Sequence, residues 1–98
     1  MKRIGKLVKM IDNELHSAEE YAEKYIEMKA DGNSFSSKYK DLANDRLKDA
    51  NILHEIAVSE ITKLNQVFKP RADMQNKWNE SHTAYVEKTN WISEMLSM

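Results

Sequence analysis

The sequence predicts an all-α protein, an antiparallel three-helix bundle built from a helical hairpin and a third helix. Three observations support this fold class. The 98 residues include only two glycines and one proline, so few positions interrupt a helix. Apolar residues recur at alternating steps of three and four along three long segments. The stretch from Tyr39 to Phe68 is about eight helical turns without a breaker. The length of the whole chain, 98 residues, suits one small domain spanning 1–98.

Composition limits the classes of function. The net charge of −1 gives no field that would attract nucleic acid or a membrane surface. The absence of cysteine excludes disulfides, thiolate metal sites and a cysteine nucleophile. The apolar runs are too short for a transmembrane span, and the basic start lacks the features of a secretory signal. We therefore expect a cytoplasmic protein with neither a nucleic-acid nor a membrane partner.

The first helix is predicted from about Ile4 to Lys29. It ends at Gly32, which supplies the left-handed residue that commonly terminates a helix, and Asn33 or Ser34 can cap the next helix. Such a short link predicts an antiparallel pair. Two rows of this helix are predicted to point inward. The first row is Ile4, Val8, Ile11, Leu15, Ala18, Ala22 and Tyr25. The second row is Leu7, Ile11, Glu14, Ala18, Tyr21, Tyr25 and Met28.

The second helix is predicted from about Ser34 to Phe68, and it also has two candidate inward rows. The Tyr39 row contains two charged residues, Arg46 and Asp49, whereas the Ala43 row contains His54. We expect His54 at the edge of the core with one ring nitrogen bonded. If the Ala43 row alone forms the core, Arg46 and Asp49 face solvent. The rows are Tyr39, Leu42, Arg46, Asp49, Leu53 and Ile56, and Ala43, Leu47, Ala50, His54, Ala57, Ile61, Leu64 and Phe68.

The third helix is predicted from about Ala72 to Leu96, after a break at Lys69-Pro70-Arg71. Its inward row includes Ser81 or His82 and is more polar in its middle than the rows of the other helices. It is also rich in aromatic residues, which are common at interfaces. We therefore predict that residues of this helix lie at a subunit or partner contact, namely Trp78, Tyr85 and Trp91, or else the methionine-rich C-terminus.

Two segments carry a resemblance to a known family. The first helix reads NELHSAEEYAEKYIEM, in which Glu14 and Tyr21 are seven residues apart, and the second reads DRLKDANILHEI. This pattern resembles the ferritin-like superfamily, of the bacterioferritin and rubrerythrin type. The resemblance implies a ferritin-like hairpin whose first metal ligand would be Glu14. The family's Glu-x-x-His pairs would fall on Arg46 and Asp49 in the second helix and on Glu87 and Asn90 in the third.

The departures from that family pattern predict a site that has lost its metal. A di-iron centre requires four carboxylates and two histidines, and Arg46 cannot ligate a cation. We therefore predict no metal and no cofactor. Arg46 is expected instead to take the place of the cation in a buried or half-buried ion network of Glu14, Arg46 and Asp49.

The predicted function is a non-enzymatic interaction protein, a small helical adaptor or inhibitor with no catalytic residues. Its size would suit a phage or mobile-element protein. Three helices with double apolar rows are one helix short of a four-helix bundle, so we expect a homodimer, and the sequence names no other protein partner. The alternative is a metal-binding ferritin-like protein whose site forms across a dimer interface from Glu14, His16, Glu19, Glu20 and His54.

Overall fold

The computed structural model describes residues 2–67 and 72–98, with the side chains of 3–63 and 75–98. These residues form three helices, α1 (Lys2–Ala30), α2 (Ser36–Val67) and α3 (Ala72–Ser97), and no β-strand occurs within those ranges. The prediction of an all-α protein with three helices is confirmed. The described helix ends lie within two residues of the predicted ones. Phe68 and the break at Lys69-Pro70-Arg71 lie outside the described residues.

The turn between α1 and α2 is closed by the predicted glycine. Gly32 has a φ of 72°, the left-handed conformation that glycine adopts without a steric penalty. Its amide donates to the carbonyl of Lys29 at 3.1 Å, and the Asn33 amide donates to the carbonyl of Met28 at 2.9 Å. These two bonds form a Schellman motif, which satisfies carbonyls at the end of the helix. The Asn33 side-chain oxygen accepts from the Phe35 amide at 2.9 Å and opens the next helix.

Small residues form the contact between α1 and α2. Ala18 and Ala22 of α1 and Ala43, Ala50 and Ala57 of α2 are all 0% exposed. Alanine keeps the two backbones close and loses no side-chain entropy on burial. This contact is therefore a tight, apolar seam along most of the hairpin.

Side-chain contacts between α1 and α2 follow an opposite order in the two helices. Arg3 near the start of α1 pairs with Glu60 late in α2. Near the end of α1, the ring of Tyr21 lies 6.4 Å from the ring of Tyr39. This is the order of contacts that antiparallel helices produce.

Two apolar clusters connect α3 to the hairpin. The first cluster is fully packed and includes the C-terminal turns of α3, whereas the second holds α3 only through half-buried aromatic residues. The first consists of Ala18, Ala22, Tyr25, Ala43, Ile92, Met95 and Leu96. The second consists of Leu7, Ile11, Leu15, Ala50 and Ala57, with Leu47, Leu53, Trp78 and Tyr85 packed against it.

The Ala43 row, and not the Tyr39 row, forms the core face of α2. In the Tyr39 row, Asp49 and Ile56 are exposed and Leu42 and Leu53 are only half-buried. The physical reason is the position of α3, which packs mainly against α1 and whose residues Ile92, Met95 and Leu96 share one apolar cluster with Ala43. The two apolar rows of α2 predicted a wide buried face, and only the Ala43 row forms a core face within one chain.

The molecule is elongated. Its principal extents are 54 × 17 × 17 Å and its radius of gyration is 15.9 Å, against about 13 Å for a compact globule of this length. None of the described helices has an apolar stretch long enough to cross a bilayer. A long, narrow bundle exposes much of each helix, so side chains at the edges of the core stay within reach of solvent.

Candidate functional site

Glu14 and Arg46 form an ion pair between the two helices of the hairpin. Arg46 Nη1 lies 3.3 Å from Glu14 Oε2, and the side chains are 41% and 25% exposed, respectively. The hydrogen bond with Glu14 is the main cause that raises the pKa of Arg46 above its ordinary value. Because both side chains are partly exposed, water reaches both groups.

The predicted ion pair of Glu14 with Arg46 is confirmed and is half-buried, but the predicted third member of the network does not join it. Asp49 is exposed and takes part in no ion pair among the described side chains. Asp49 lies three residues beyond Arg46, which rotates it away from α1 toward solvent. What remains is a half-exposed pair, and such pairs contribute little to stability.

The alternative metal ligands do not converge within one chain. Each already has a polar partner, and these pairs lie at separate places along the bundle. The pairs are Glu14–Arg46 at 3.3 Å, His16–Glu20 at 3.1 Å, Glu19–Lys88 at 2.9 Å and His54–His82 at 2.9 Å. Within residues 3–63 and 75–98, no three His, Cys, Asp or Glu side chains are grouped to hold a metal ion.

The three predicted interaction residues have different environments. Trp78 and Tyr85 are half-buried against the second apolar cluster, so much of their surface is already used within the chain. Trp91 is 47% exposed and lies at a shallow depression that Glu19 and Lys88 also line. Trp91 therefore keeps the exposure that a contact residue requires, and the other two serve mainly to attach α3.

Four rings form a cluster between α2 and α3, which we call the aromatic–histidine cluster: His54, Trp78, His82 and Tyr85. His54 Nε2 lies 2.9 Å from His82 Nδ1. The Tyr85 ring stacks on His54 at 4.1 Å with an interplanar angle of 6°, and Trp78 lies 5.6 Å from His54 at 23°. The Tyr85 hydroxyl donates to Asn51 Oδ1 at 3.0 Å. This cluster joins α3 to α2 through stacked rings and polar bonds.

Burial affects two of these rings. It lowers the pKa of His54, with a further contribution from His82, while the carboxylate of Glu55 acts in the opposite direction. Burial also raises the pKa of the Tyr85 hydroxyl. His54 is therefore neutral at pH 7, and a neutral imidazole has one nitrogen free to accept a hydrogen bond or a cation.

The pairing of His54 with His82 is not evident from the sequence. His54 was expected at the core edge with one ring nitrogen bonded, which agrees with its position. On α3, the periodicity offers either Ser81 or His82 as the inward-facing residue at this level and does not choose between them. The available signal was that both histidines fall on inward rows. The periodicity of each helix does not give the rotation and axial shift of one helix against another, and these decide which residues meet.

A second surface lies near the Glu14–Arg46 pair. Ile52 is 55% exposed and Ile56 is 37% exposed. The two residues are one turn apart on α2. Met10 of α1 is 48% exposed and lies one turn before Glu14. We call Met10, Leu53, Ile52 and Ile56 the uncovered patch, because three of these side chains are exposed and Leu53 is only half-buried.

Comparison with known proteins adds no relative. No protein-family model, no curated protein and no solved structure matches this chain. The resemblance to the ferritin-like superfamily accordingly rests on the residues named above and stays a prediction.

Proposed function

We propose that the protein is a non-enzymatic interaction protein that forms a homodimer through the uncovered patch, on a scaffold that resembles a ferritin-like hairpin without its metal ligands. The observation that carries this proposal is the exposure of two isoleucines one turn apart on α2, Ile52 at 55% and Ile56 at 37%. Large apolar side chains grouped on one face of a small protein commonly mark a contact with another molecule. Cytoplasmic adaptor or inhibitor activity remains the corresponding prediction.

Apolar burial favours association through this patch. A second copy laid over Ile52 and Ile56 would remove their exposed surface from water, at about 25 cal/mol per Å². Met10 and the half-buried Leu53 extend the same face. In the dimer, the second copy would pack against the Tyr39 row of α2, which is not the core face within one chain.

Charge favours a second copy of the same chain as the occupant. The Glu14–Arg46 pair beside the patch has one acidic and one basic group, both partly exposed. In a two-fold interface each surface meets itself in reverse, so Arg46 of one chain can approach Glu14 of the other. A surface with one charge of each sign is complementary to its own copy under this symmetry.

Sedimentation velocity over a range of protein concentrations tests the proposal. We expect the wild-type chain to shift from monomer to dimer, and the double variant Ile52→Asp, Ile56→Asp to remain monomeric, because a carboxylate in an apolar interface is strongly disfavoured. The matched control is Val58→Asp with Val86→Asp, two residues of similar exposure, 41% and 42%, outside the patch. This control should dimerise like the wild type.

Two outcomes would overturn the proposal. One is a wild-type chain that stays monomeric at every concentration. The other is a control variant that loses the dimer as completely as the patch variant does. Circular dichroism of each variant separates a lost interface from a lost fold.

A further inference from the structure

The pairing of His54 with His82 is the only contact between two imidazole rings among the described side chains. The two residues come from different helices, and their nitrogens approach to 2.9 Å. Their ring centroids are 5.1 Å apart with an interplanar angle of 24°. These distances place the two nitrogens nearly on the line between the ring centres, so they face each other across one short hydrogen bond.

The distance between the two nitrogens is close to that between two histidine ligands of one metal ion. A histidine nitrogen lies about 2.0–2.1 Å from Zn²⁺, so two nitrogens in a tetrahedral arrangement are about 3.3 Å apart. Binding requires the observed distance of 2.9 Å to open by a few tenths of an ångström, and it requires the two rings to turn from facing each other until both nitrogens point at the ion, a change of roughly 70° between their directions. His82 is exposed, so its side chain can make that adjustment without disturbing the core.

The protonation state of the pair also suits a cation. A metal requires the free nitrogen of a neutral imidazole, and His54 is held neutral by its surroundings. In the hydrogen-bonded pair, one of the two facing nitrogens carries the proton and the other accepts it. Moving that proton to the far nitrogen of the same ring leaves both facing nitrogens free. No net proton is released at neutral pH.

We propose that His54 and His82 form a two-histidine site for a divalent transition-metal cation that links α2 to α3. Imidazole nitrogen favours Cu²⁺, Ni²⁺ and Zn²⁺ over Mg²⁺ and Ca²⁺, which prefer oxygen ligands. The inference is independent of the homodimer proposed above. It also differs from the metal site predicted across a dimer interface, since its second ligand, His82, is not in that set.

The remaining coordination positions belong to water. No third His, Cys, Asp or Glu in the described part of the chain is grouped with this pair. The carboxylate of Glu55 is near enough to influence His54 and Tyr85 by its charge, and its negative field favours a bound cation. A site with two protein ligands and water is reversible and is removed by a chelator.

Thermal unfolding with added metal tests the site. The chelator-treated full chain is melted at pH 7.5 by circular dichroism with ZnCl₂, NiCl₂ or MgCl₂. At a metal concentration ten times the dissociation constant, Zn²⁺ or Ni²⁺ should raise Tm by about 5–10 °C. Mg²⁺ should leave Tm unchanged.

Two variants assign the effect to this pair. His82→Asn keeps a polar group at the position of Nδ1, so it can hydrogen-bond to His54 while removing the second imidazole, and it should lose the rise in Tm. The matched control, His16→Ala, removes the third histidine of the chain, which lies 3.1 Å from Glu20 on α1, and it should keep the rise. Nitrogen NMR of the wild type should show Zn²⁺ shifting His54 Nε2 and His82 Nδ1 together.

The proposal fails if wild-type Tm does not respond to Zn²⁺ or Ni²⁺. It also fails if His82→Asn responds as the wild type does, or if His16→Ala loses the response. The NMR measurement needs no variant, so unchanged His54 and His82 nitrogen shifts would overturn the site even if a variant unfolds.

Discussion

The two halves of α3 are attached to the hairpin by different kinds of contact. In the C-terminal half, Ile92 is 0% exposed, Leu96 4% and Met95 7%, so this half is held by apolar burial. In the N-terminal half, the aromatic–histidine cluster is half-exposed and joined by polar bonds to α2. Because stability varies along a structure with local apolar burial, the N-terminal half should open first while the C-terminal half stays bound.

The largest effect is expected at Ile92. Ile92→Ala should lower the free energy of unfolding by about 2–5 kcal/mol, because it leaves a cavity where α3 meets Ala18 and Ala43. Urea denaturation measures the loss. The matched control is Val86→Ala, since Val86 is 42% exposed and lies outside the uncovered patch, so its truncation should change stability by less than about 0.5 kcal/mol. Equal losses at the two sites would remove the distinction between buried and exposed apolar side chains of α3.

Trp78→Ala should have a smaller effect. The ring is half-buried against the second apolar cluster, so we expect a loss of roughly 1–2 kcal/mol. Amide hydrogen exchange should show the loss mainly in the N-terminal half of α3. Faster exchange of the same size around Ile92 would instead mean that α3 opens as one unit.

The pH dependence of stability is the next test of the N-terminal half. The folded pKa of His54 lies below its unfolded value of about 6.5. Above pH 6.5 His54 is neutral in both the folded and the unfolded chain, and its full contribution to stability is present. This contribution is lost as pH falls below 6.5, because the unfolded chain binds the proton more tightly than the folded chain does. Tm should fall between pH 6.5 and 5.

Two variants sharpen that pH measurement. His54→Gln keeps a polar group near Nε2 and should flatten the fall in Tm, whereas His16→Gln, at an exposed position, should leave it nearly unchanged. A pH profile of His54→Gln identical to the wild-type profile would show that His54 does not carry the effect.

The smallest effect is expected at the Glu14–Arg46 pair, on the hairpin rather than on α3. Arg46→Ala should lower Tm far less than Ile92→Ala, because both charges remain in contact with water. The difference from the wild type should shrink as NaCl is added, since salt screens exposed pairs. A loss as large as that of Ile92→Ala would mean that the pair behaves as a buried one.

The parts of the fold that depend on one helix at a time could be predicted from the sequence. The apolar periodicity gave the three helices, and Gly32 gave the turn because only a left-handed residue closes a Schellman motif there. The choice between the Ala43 row and the Tyr39 row could not be made, since it depends on which side of the hairpin α3 covers. The His54–His82 pair was missed for the same reason, because the period of a helix contains no information on the rotation of its neighbour.

The elongated shape has a consequence for any measurement of mass. A molecule of 54 × 17 × 17 Å meets more friction in water than a sphere of the same 11.5 kDa. On a gel-filtration column calibrated with globular standards, a single chain would therefore elute early and could be mistaken for two. An elution volume alone cannot distinguish an elongated monomer from a compact dimer of this protein. Sedimentation equilibrium and static light scattering can, because they report the molar mass independently of shape.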